Sequence, residues 1–95
     1  MATSTTLEEA ARKEIAKMQQ VMKTLRVVDA RKKDEQAVEL KKLIDSYWID
    51  AQHFLEKKKF LEAFEAAVIC WAYVDSGLHL GIFEVEEKLK KLFTV

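Results

Sequence analysis

The sequence predicts an all-α protein, and three observations indicate this class. Apolar residues recur at helical spacing along most of the chain, no segment alternates as a half-buried strand does, and the 95 residues include no proline and only two glycines. We expect an antiparallel bundle of three main helices followed by a short C-terminal helix. A chain of this length has room for one domain, residues 1–95, with residues 1–5 as a loose N-terminal tail.

The first helix is expected to begin after Thr6. Thr6 and Glu9 have the spacing of a capping box, in which the threonine oxygen accepts from the amide of Glu9 and the glutamate carboxylate returns to the backbone of Thr6. An apolar stripe follows, and we expect the helix to end near Val27 or Val28. The stripe consists of Leu7, Ala11, Ile15, Met18, Met22 and Leu25.

The polar segment from Asp29 to Asp34 is interpreted as the first turn, with a helix that continues through it as the alternative. In the first interpretation Asp34 caps the second helix. That helix carries an apolar face from Ala37 to Phe54 and ends near residues 56–59, EKKK, whose positive charge suits a helix C-terminus. The short connection that follows predicts an antiparallel third helix.

The third helix opens at Phe60, and its stretch from Ala66 to Val74 carries no charge. Apolar residues occupy nearly every side, so we expect this helix to be buried on most of its circumference, with Trp71 and Val74 shielded from water. Nine uncharged residues are far fewer than the roughly 20 of a bilayer span, so we expect no membrane partner. Gly81 is expected to end the helix. The short C-terminal helix is predicted to run from Glu84 to about Phe93.

The charge balance bears on partners and location. Sixteen basic and sixteen acidic residues leave no net charge, so we expect no nucleic-acid partner, and a weak RNA-associated role ranks third among the functions considered. A single cysteine, Cys70, and the lack of an apolar signal segment predict a cytoplasmic protein. The many lysines and glutamates are also typical of thermophilic proteins.

Two groups of spaced residues in the second and third helices carry a resemblance to a known family. They are Tyr47-x-x-Asp50-Ala51-x-x-Phe54-Leu55-x-Lys57, and Phe60, Ala63-Phe64 with Asp75-x-Gly77-x-x-Leu80-Gly81-x-Phe83. In combination they resemble a small archaeal family known as domain of unknown function 357. The resemblance implies an all-helical bundle, an archaeal source and a cytoplasmic protein, and it brings no activity, cofactor or catalytic residue.

Two aspartates in apolar surroundings are candidate site residues. A carboxylate that is enclosed needs a partner, so we hypothesise a polar ligand pocket between the second and third helices, formed by Tyr47, Asp50, Tyr73 and Asp75. The alternative is that the aspartates cap helices, fix their register or face solvent. Cys70 has no neighbouring base that would activate it. We therefore expect no enzyme, no catalytic residue and no cofactor.

The two histidines each follow an aspartate on the same helix face. His53 lies three residues after Asp50, and His79 lies four after Asp75. Carboxylate–histidine pairs hold metals in some helical bundles, but those sites draw further carboxylates from two more helices. We identify no inward-facing acid on the remaining helices and expect no metal site.

Apolar surface exceeds what three helices can enclose, and exposed surface of this kind usually marks an interface. The leading hypothesis is therefore a non-enzymatic protein-interaction or self-association module, with a homodimer favoured and an unidentified protein partner as a further possibility. A ligand-binding or metal-binding bundle is the alternative. The predicted interface residues, which three helices leave uncovered, are Trp48, Leu55, Val85, Leu89 and Leu92.

Overall fold

Three helices run up, down and up in the computed structural model, which describes residues 6–93. The predicted all-α class is confirmed, and the expected N-terminal tail, residues 1–5, lies outside the described residues. The elements are α1 (Leu7–Met22), β1 (Arg26–Val27), a 3-10 turn (Asp29–Arg31), α2 (Glu35–Glu56), α3 (Phe60–His79), β2 (Phe83–Glu84) and a C-terminal 3-10 helix (Glu87–Leu92).

Both predicted N-caps form. The amide of Glu9 donates to Thr6 Oγ1 over 3.1 Å, and the threonine hydroxyl donates to the Glu9 carboxylate over 2.9 Å, so the glutamate returns to the hydroxyl rather than to the backbone. Asp34 accepts from the amides of Gln36 and Ala37. Its second oxygen accepts from Arg31, and this hydrogen bond together with that from Ala37 lowers the pKa of the carboxyl. Residues 29–34 therefore form a turn, and the continuous helix is excluded.

The expected end of α1 at Val27 or Val28 is wrong. The helix ends at Met22, and Arg26 and Val27 are extended and pair antiparallel with Glu84 and Phe83. Adjacent β-branched valines favour extended backbone over helix, and Arg26 forms an ion pair with Glu84 across the ladder. The sequence lacks any alternation here because each strand is only two residues long.

The helix α3 is the centre of the packing. Both α1 and α2 lie against α3, and they contact each other much less. The largest fully buried side chains are Met18 and Val21 of α1, Ile44 of α2, and Cys70 and Val74 of α3. These residues form the main core, which lies in the half of the molecule that contains the C-terminal half of α3.

The other half of α3 packs through small side chains. A separate cluster joins α1, α2 and α3 near the beginning of α3, and most of its members are alanines that allow the helices to approach closely. Larger side chains pack around this cluster and are only partly buried; they are Trp48, Phe54, Leu55, Phe60 and Phe64. The cluster consists of Ala11, Ile15, Ala51, Ala63, Ala66 and Ala67.

The helix α2 ends in a Schellman motif. The amide of Lys59 donates to the carbonyl of Phe54, and that of Lys58 donates to the carbonyl of Leu55. This motif requires a left-handed residue, and Lys58 supplies it with φ of 59°. A lysine is therefore held in a conformation that glycine adopts with less strain.

The helix α3 ends in the same motif, with Gly81 at φ of 69° in the left-handed position, as predicted for a helix stop. The amide of Ile82 donates to the carbonyl of Gly77, and that of Gly81 to Leu78. A Cβ added at Gly77 would lie 2.1 Å from the Phe83 ring. Gly77 thus allows the aromatic ring of the returning chain to approach α3 closely.

The C-terminal segment, residues 82–93, folds back over the end of the bundle. Phe93 stacks on Trp71 with ring centroids 4.1 Å apart, and Lys17 of α1 lies over the same indole. The amide of Glu86 donates to Thr24 Oγ1, which ties the segment to the end of α1. This arrangement replaces the predicted helix from Glu84 to Phe93 with a strand pair and a shorter 3-10 helix.

Among the described helices, none combines the length and apolar character that crossing a lipid bilayer requires.

Candidate functional site

A groove between α2 and α3 brings together three of the four predicted pocket residues. The rings of Tyr47 and Tyr73 stack across the two helices with centroids 5.8 Å apart. Asp50 lies one helical turn from Tyr47 and borders an open depression of ≈ 270 Å³. The depression is lined by Tyr47, Asp50 and Phe54 of α2 and by Glu62, Glu65, Ala66 and Ile69 of α3.

Asp75 lies elsewhere. It is half-buried on α3, and one of its oxygens lies 3.9 Å from His79 Nε2 on the next turn of the same helix. It does not line the depression that Tyr47 and Asp50 share. The structure therefore joins Tyr47 with Tyr73 and with Asp50, and it places Asp75 outside this group. Ligand binding by the four residues stays a prediction.

The histidines do not converge. His53 and His79 are both exposed, on α2 and α3 respectively. Across residues 6–93, no three histidine, cysteine, aspartate or glutamate side chains are grouped so that they could hold a metal ion.

Cys70 is a core residue. It is fully buried, and its Sγ lies 3.6 Å from the carbonyl oxygen of Ile44, to which the thiol donates. Burial raises the pKa of this thiol to about 12, with a further contribution from the nearby Asp45 carboxylate. A thiol with a raised pKa is a poor nucleophile at neutral pH. The side chain therefore acts as a small apolar group.

The helix α3 was predicted to be buried on most of its circumference, but one of its sides is exposed. Val74 is fully buried and Trp71 is partly covered by Phe93 and Lys17, as expected. However, Leu61, Val68 and Ile69 are 51%, 40% and 38% exposed. They lie on the side of α3 that neither α1 nor α2 covers. We call this side, with Leu61, Glu65, Val68, Ile69 and Ala72, the open face.

The open face was missed because periodicity alone does not reveal it. Apolar residues surround α3 in the sequence, so the pattern gives no polar side that would mark solvent. The one available signal is the charged pair Glu62 and Glu65, which shares the exposed side with Leu61 and Val68. The depression continues the open face toward α2, and together they form one apolar surface bordered by carboxylates.

The predicted interface residues divide into three groups. Trp48 and Leu55 are half-buried. Val85 and Leu89 are buried within the chain itself, so the expectation that they would remain uncovered is wrong. The reason is that the C-terminal segment folds back and places both side chains against the main core. Leu92 is 40% exposed and stays a candidate.

The charges around the depression form no ion pairs with one another or with the rest of the described chain. Within residues 6–93, every ion pair lies before residue 46 or after residue 74. Asp50, Glu62 and Glu65, which we call the acidic cluster, therefore have no ion-pair partner in the described chain. Nor do Lys57, Lys58 and Lys59, which we call the lysine turn.

A comparison with protein families gave a match that spans most of the three helices. A family model described as "Protein of unknown function (DUF357)" matches residues 9–83. The chain belongs to the DUF357 family. The match to the DUF357 model includes α1 from Glu9 onward and all of α2 and α3, and it extends beyond residues 47–83, on which the resemblance rested. Comparisons with curated proteins and with solved structures returned no match.

The DUF357 match ends at Phe83, so the C-terminal 3-10 helix lies beyond it. The open face and the acidic cluster lie inside the matched range. The family description states that the function is unknown and assigns no activity to any residue.

Proposed function

We propose that this protein works by association rather than by catalysis, and that it associates with a second copy of itself to form a homodimer. The observation that carries this proposal is the open face of α3. Leu61, Val68 and Ile69 are large apolar side chains exposed side by side on the central helix of the molecule.

The shape of the molecule supports a second copy. Its principal extents are 46 × 29 × 17 Å, so it is thin in one direction. Domains are normally built from packed layers that bury an apolar side between them. A second copy supplies the missing layer, because its own open face offers the same apolar side chains.

The proposed setting is the cytoplasm of a thermophilic archaeon. The single, fully buried cysteine suits a reducing compartment, and the abundance of lysine and glutamate suits high temperature.

The experiment compares the molar mass in solution of the wild type with that of Val68→Glu/Ile69→Glu. Light scattering coupled to size-exclusion chromatography is expected to give two chains for the wild type and one for the variant. Burying unpaired charges at an interface costs several kcal/mol, so the dimer dissociates. Both side chains are exposed in the single chain, so the helical circular dichroism is expected to be unchanged.

Ile49→Glu is the matched control. Ile49 is 63% exposed on α2, outside the groove between α2 and α3, and the same change there is expected to leave the dimer intact. A wild type with the mass of one chain at micromolar concentration would contradict the proposed function.

A second candidate function rests on the depression between α2 and α3. Tyr47 and Asp50 line it, and Tyr73 stacks on Tyr47. Aromatic rings beside a carboxylate are suited to a small cationic ligand. A thermal-shift screen of small cationic compounds against the wild type and Asp50→Asn tests this candidate. Stabilisation of the wild type alone would support it, and no stabilisation by any compound would contradict it.

A further inference from the structure

The unpaired charges at the α2–α3 corner are of both signs. Three carboxylates border the depression and three lysines form the adjacent turn, and none of the six has an ion-pair partner within residues 6–93. Charged residues in the rest of the described chain form ion pairs in several places, including Arg12 with Glu8 and Lys41 with Asp45. The corner therefore combines unpaired charges of both signs with an apolar face, as the first turns of α2 also do around Val38.

The backbone of the turn adds a second observation. Lys58 occupies the left-handed position of a Schellman motif, where a glycine would be less strained. Its side chain contributes no hydrogen bond or ion pair to the described fold. The fold alone therefore gives no reason for a lysine at this position, and a contact outside the single chain would give one.

We propose that the homodimer is held in register by its charges: the lysine turn of each copy lies against the acidic cluster of the other. This inference rests on the proposed function, since it needs two copies joined through the open face. It makes the contact isologous, with the same two patches exchanged across a two-fold axis.

The spacing on α3 sets the register. An antiparallel contact that places Leu61 of one copy against Val68 of the other buries the apolar side chains of both open faces. Position 58 of one copy then lies opposite position 71 of the other, six residues or roughly 9 Å along the axis from the level of Glu65. The lysine and glutamate side chains extend toward each other and together span that distance, so the ammonium group reaches the Glu65 carboxylate.

The same contact explains why the lysines are needed. Docking two open faces brings the Glu65 carboxylates of both copies near the two-fold axis, where like charges repel. The lysine turn supplies compensating charge to each acidic cluster from the partner. A second copy matches this surface in both respects, because it brings an apolar stripe and three cations together.

The test uses two charge-reversed full-length variants and their mixture. Asp50→Lys/Glu65→Lys places positive charge opposite the lysine turn, and Lys57→Glu/Lys59→Glu places negative charge opposite the acidic cluster. Each variant alone is expected to dimerise about tenfold or more weakly than the wild type, because each symmetric interface contains the repulsion twice. Sedimentation equilibrium measures both dissociation constants.

The 1:1 mixture provides the decisive result. In the mixed pair every reversed charge faces one of opposite sign, so the heterodimer is expected to form with an affinity close to that of the wild type. Lys33→Glu/Lys42→Glu, a reversal at the other end of α2, is the matched control and is expected to leave the dimer unchanged. Added salt should weaken the wild-type dimer and strengthen each reversed homodimer.

Two outcomes would overturn the inference. One is that both reversed variants dimerise as tightly as the wild type. The other is that each is weakened and their mixture fails to form a heterodimer. In either case the proposed function stands if Val68→Glu/Ile69→Glu still separates the wild-type dimer. A wild type that is a single chain overturns both.

Discussion

The two ends of α3 are joined to the rest of the chain by the same Schellman hydrogen bonds but by different residues. Gly81 takes the left-handed position after α3, and Lys58 takes it after α2, just before α3 begins. Glycine at this position satisfies the backbone at low cost, whereas lysine adds strain and a charge. The connection at Gly81 is therefore suited to folding alone, whereas the one at Lys58 also presents a charged side chain to its surroundings.

The packing at the two ends of α3 also differs, because the Gly81 end is covered by more of the chain than the Lys58 end. The Gly81 end is covered by the C-terminal segment, with Phe93 on Trp71 and Arg26 paired to Glu84. The Lys58 end has a core made mostly of alanines, an exposed apolar face and unpaired charges. The first end is covered by its own chain apart from Leu80, which is 68% exposed. The second end is completed by the proposed partner.

The largest effect is expected from Phe93→Ala at the covered end. Phe93 is buried and stacked on Trp71, so truncation leaves a cavity and uncovers the indole. The free energy of unfolding is expected to fall by about 3 kcal/mol. Urea denaturation followed by circular dichroism measures the loss, and tryptophan emission is expected to shift to longer wavelength.

Leu92→Ala is the neighbouring control, because Leu92 is largely exposed and its truncation should cost about 0.5 kcal/mol or less. The dissociation constant of the dimer should be unchanged in Phe93→Ala, since Phe93 does not lie on the open face. An equal loss of stability in the two variants would show that the C-terminal segment does not cover the core.

A smaller effect is expected from Gly77→Ala at the same end. The new Cβ would lie 2.1 and 2.4 Å from two carbons of the Phe83 ring, and that ring is itself buried and cannot move freely. Overpacking of this kind should lower the free energy of unfolding by about 2 kcal/mol. Thermal and urea denaturation measure the change.

The control for this change is Ser76→Ala, on the exposed side of α3, which is expected to be nearly neutral. Combining Gly77→Ala with Phe83→Leu should recover part of the loss, since the smaller side chain leaves room for the methyl group. Full stability of Gly77→Ala on its own would contradict the close approach of the ring.

The sequence predicts local features of this fold better than the coverage of its surfaces. Thr6 and Asp34 were identified as caps because the hydrogen bonds that define a cap join residues only two or three apart. Gly81 was identified as the end of α3 because the hydrogen bonds of a helix C-terminus also join residues close in sequence. The pairing of Arg26 and Val27 with residues 83–84 is a contact between distant segments and leaves no periodic signal.

The positions of the candidate site residues could also be predicted only in part from the sequence. Tyr47 and Asp50 lie together in the groove and Tyr73 stacks on Tyr47, because neighbouring antiparallel helices and helical spacing determine this placement, while their role in ligand binding stays a prediction. Asp75 was misplaced in that group, since the sequence does not give the rotation of α3 relative to α2. Val85 and Leu89 were assigned to an interface because an apolar stripe does not indicate which chain covers it.

The smallest effect is expected from Lys58→Gly, which should raise the free energy of unfolding rather than lower it. This change distinguishes the contribution of Lys58 to folding from its contribution to association. Lys58→Gly removes the strain of the left-handed lysine, so the free energy of unfolding should rise by about 1 kcal/mol. Measuring the free energy of unfolding in the Val68→Glu/Ile69→Glu background excludes any contribution from the dimer.

In the otherwise wild-type chain Lys58→Gly should weaken the dimer, because one cation of the lysine turn is lost. Gly81→Lys, the reverse exchange, should lower the unfolding free energy by a similar amount and leave the dimer unchanged. If Lys58→Gly lowered stability in the monomeric background, the lysine would serve the fold itself, and the contrast between the two ends of α3 would lose its basis.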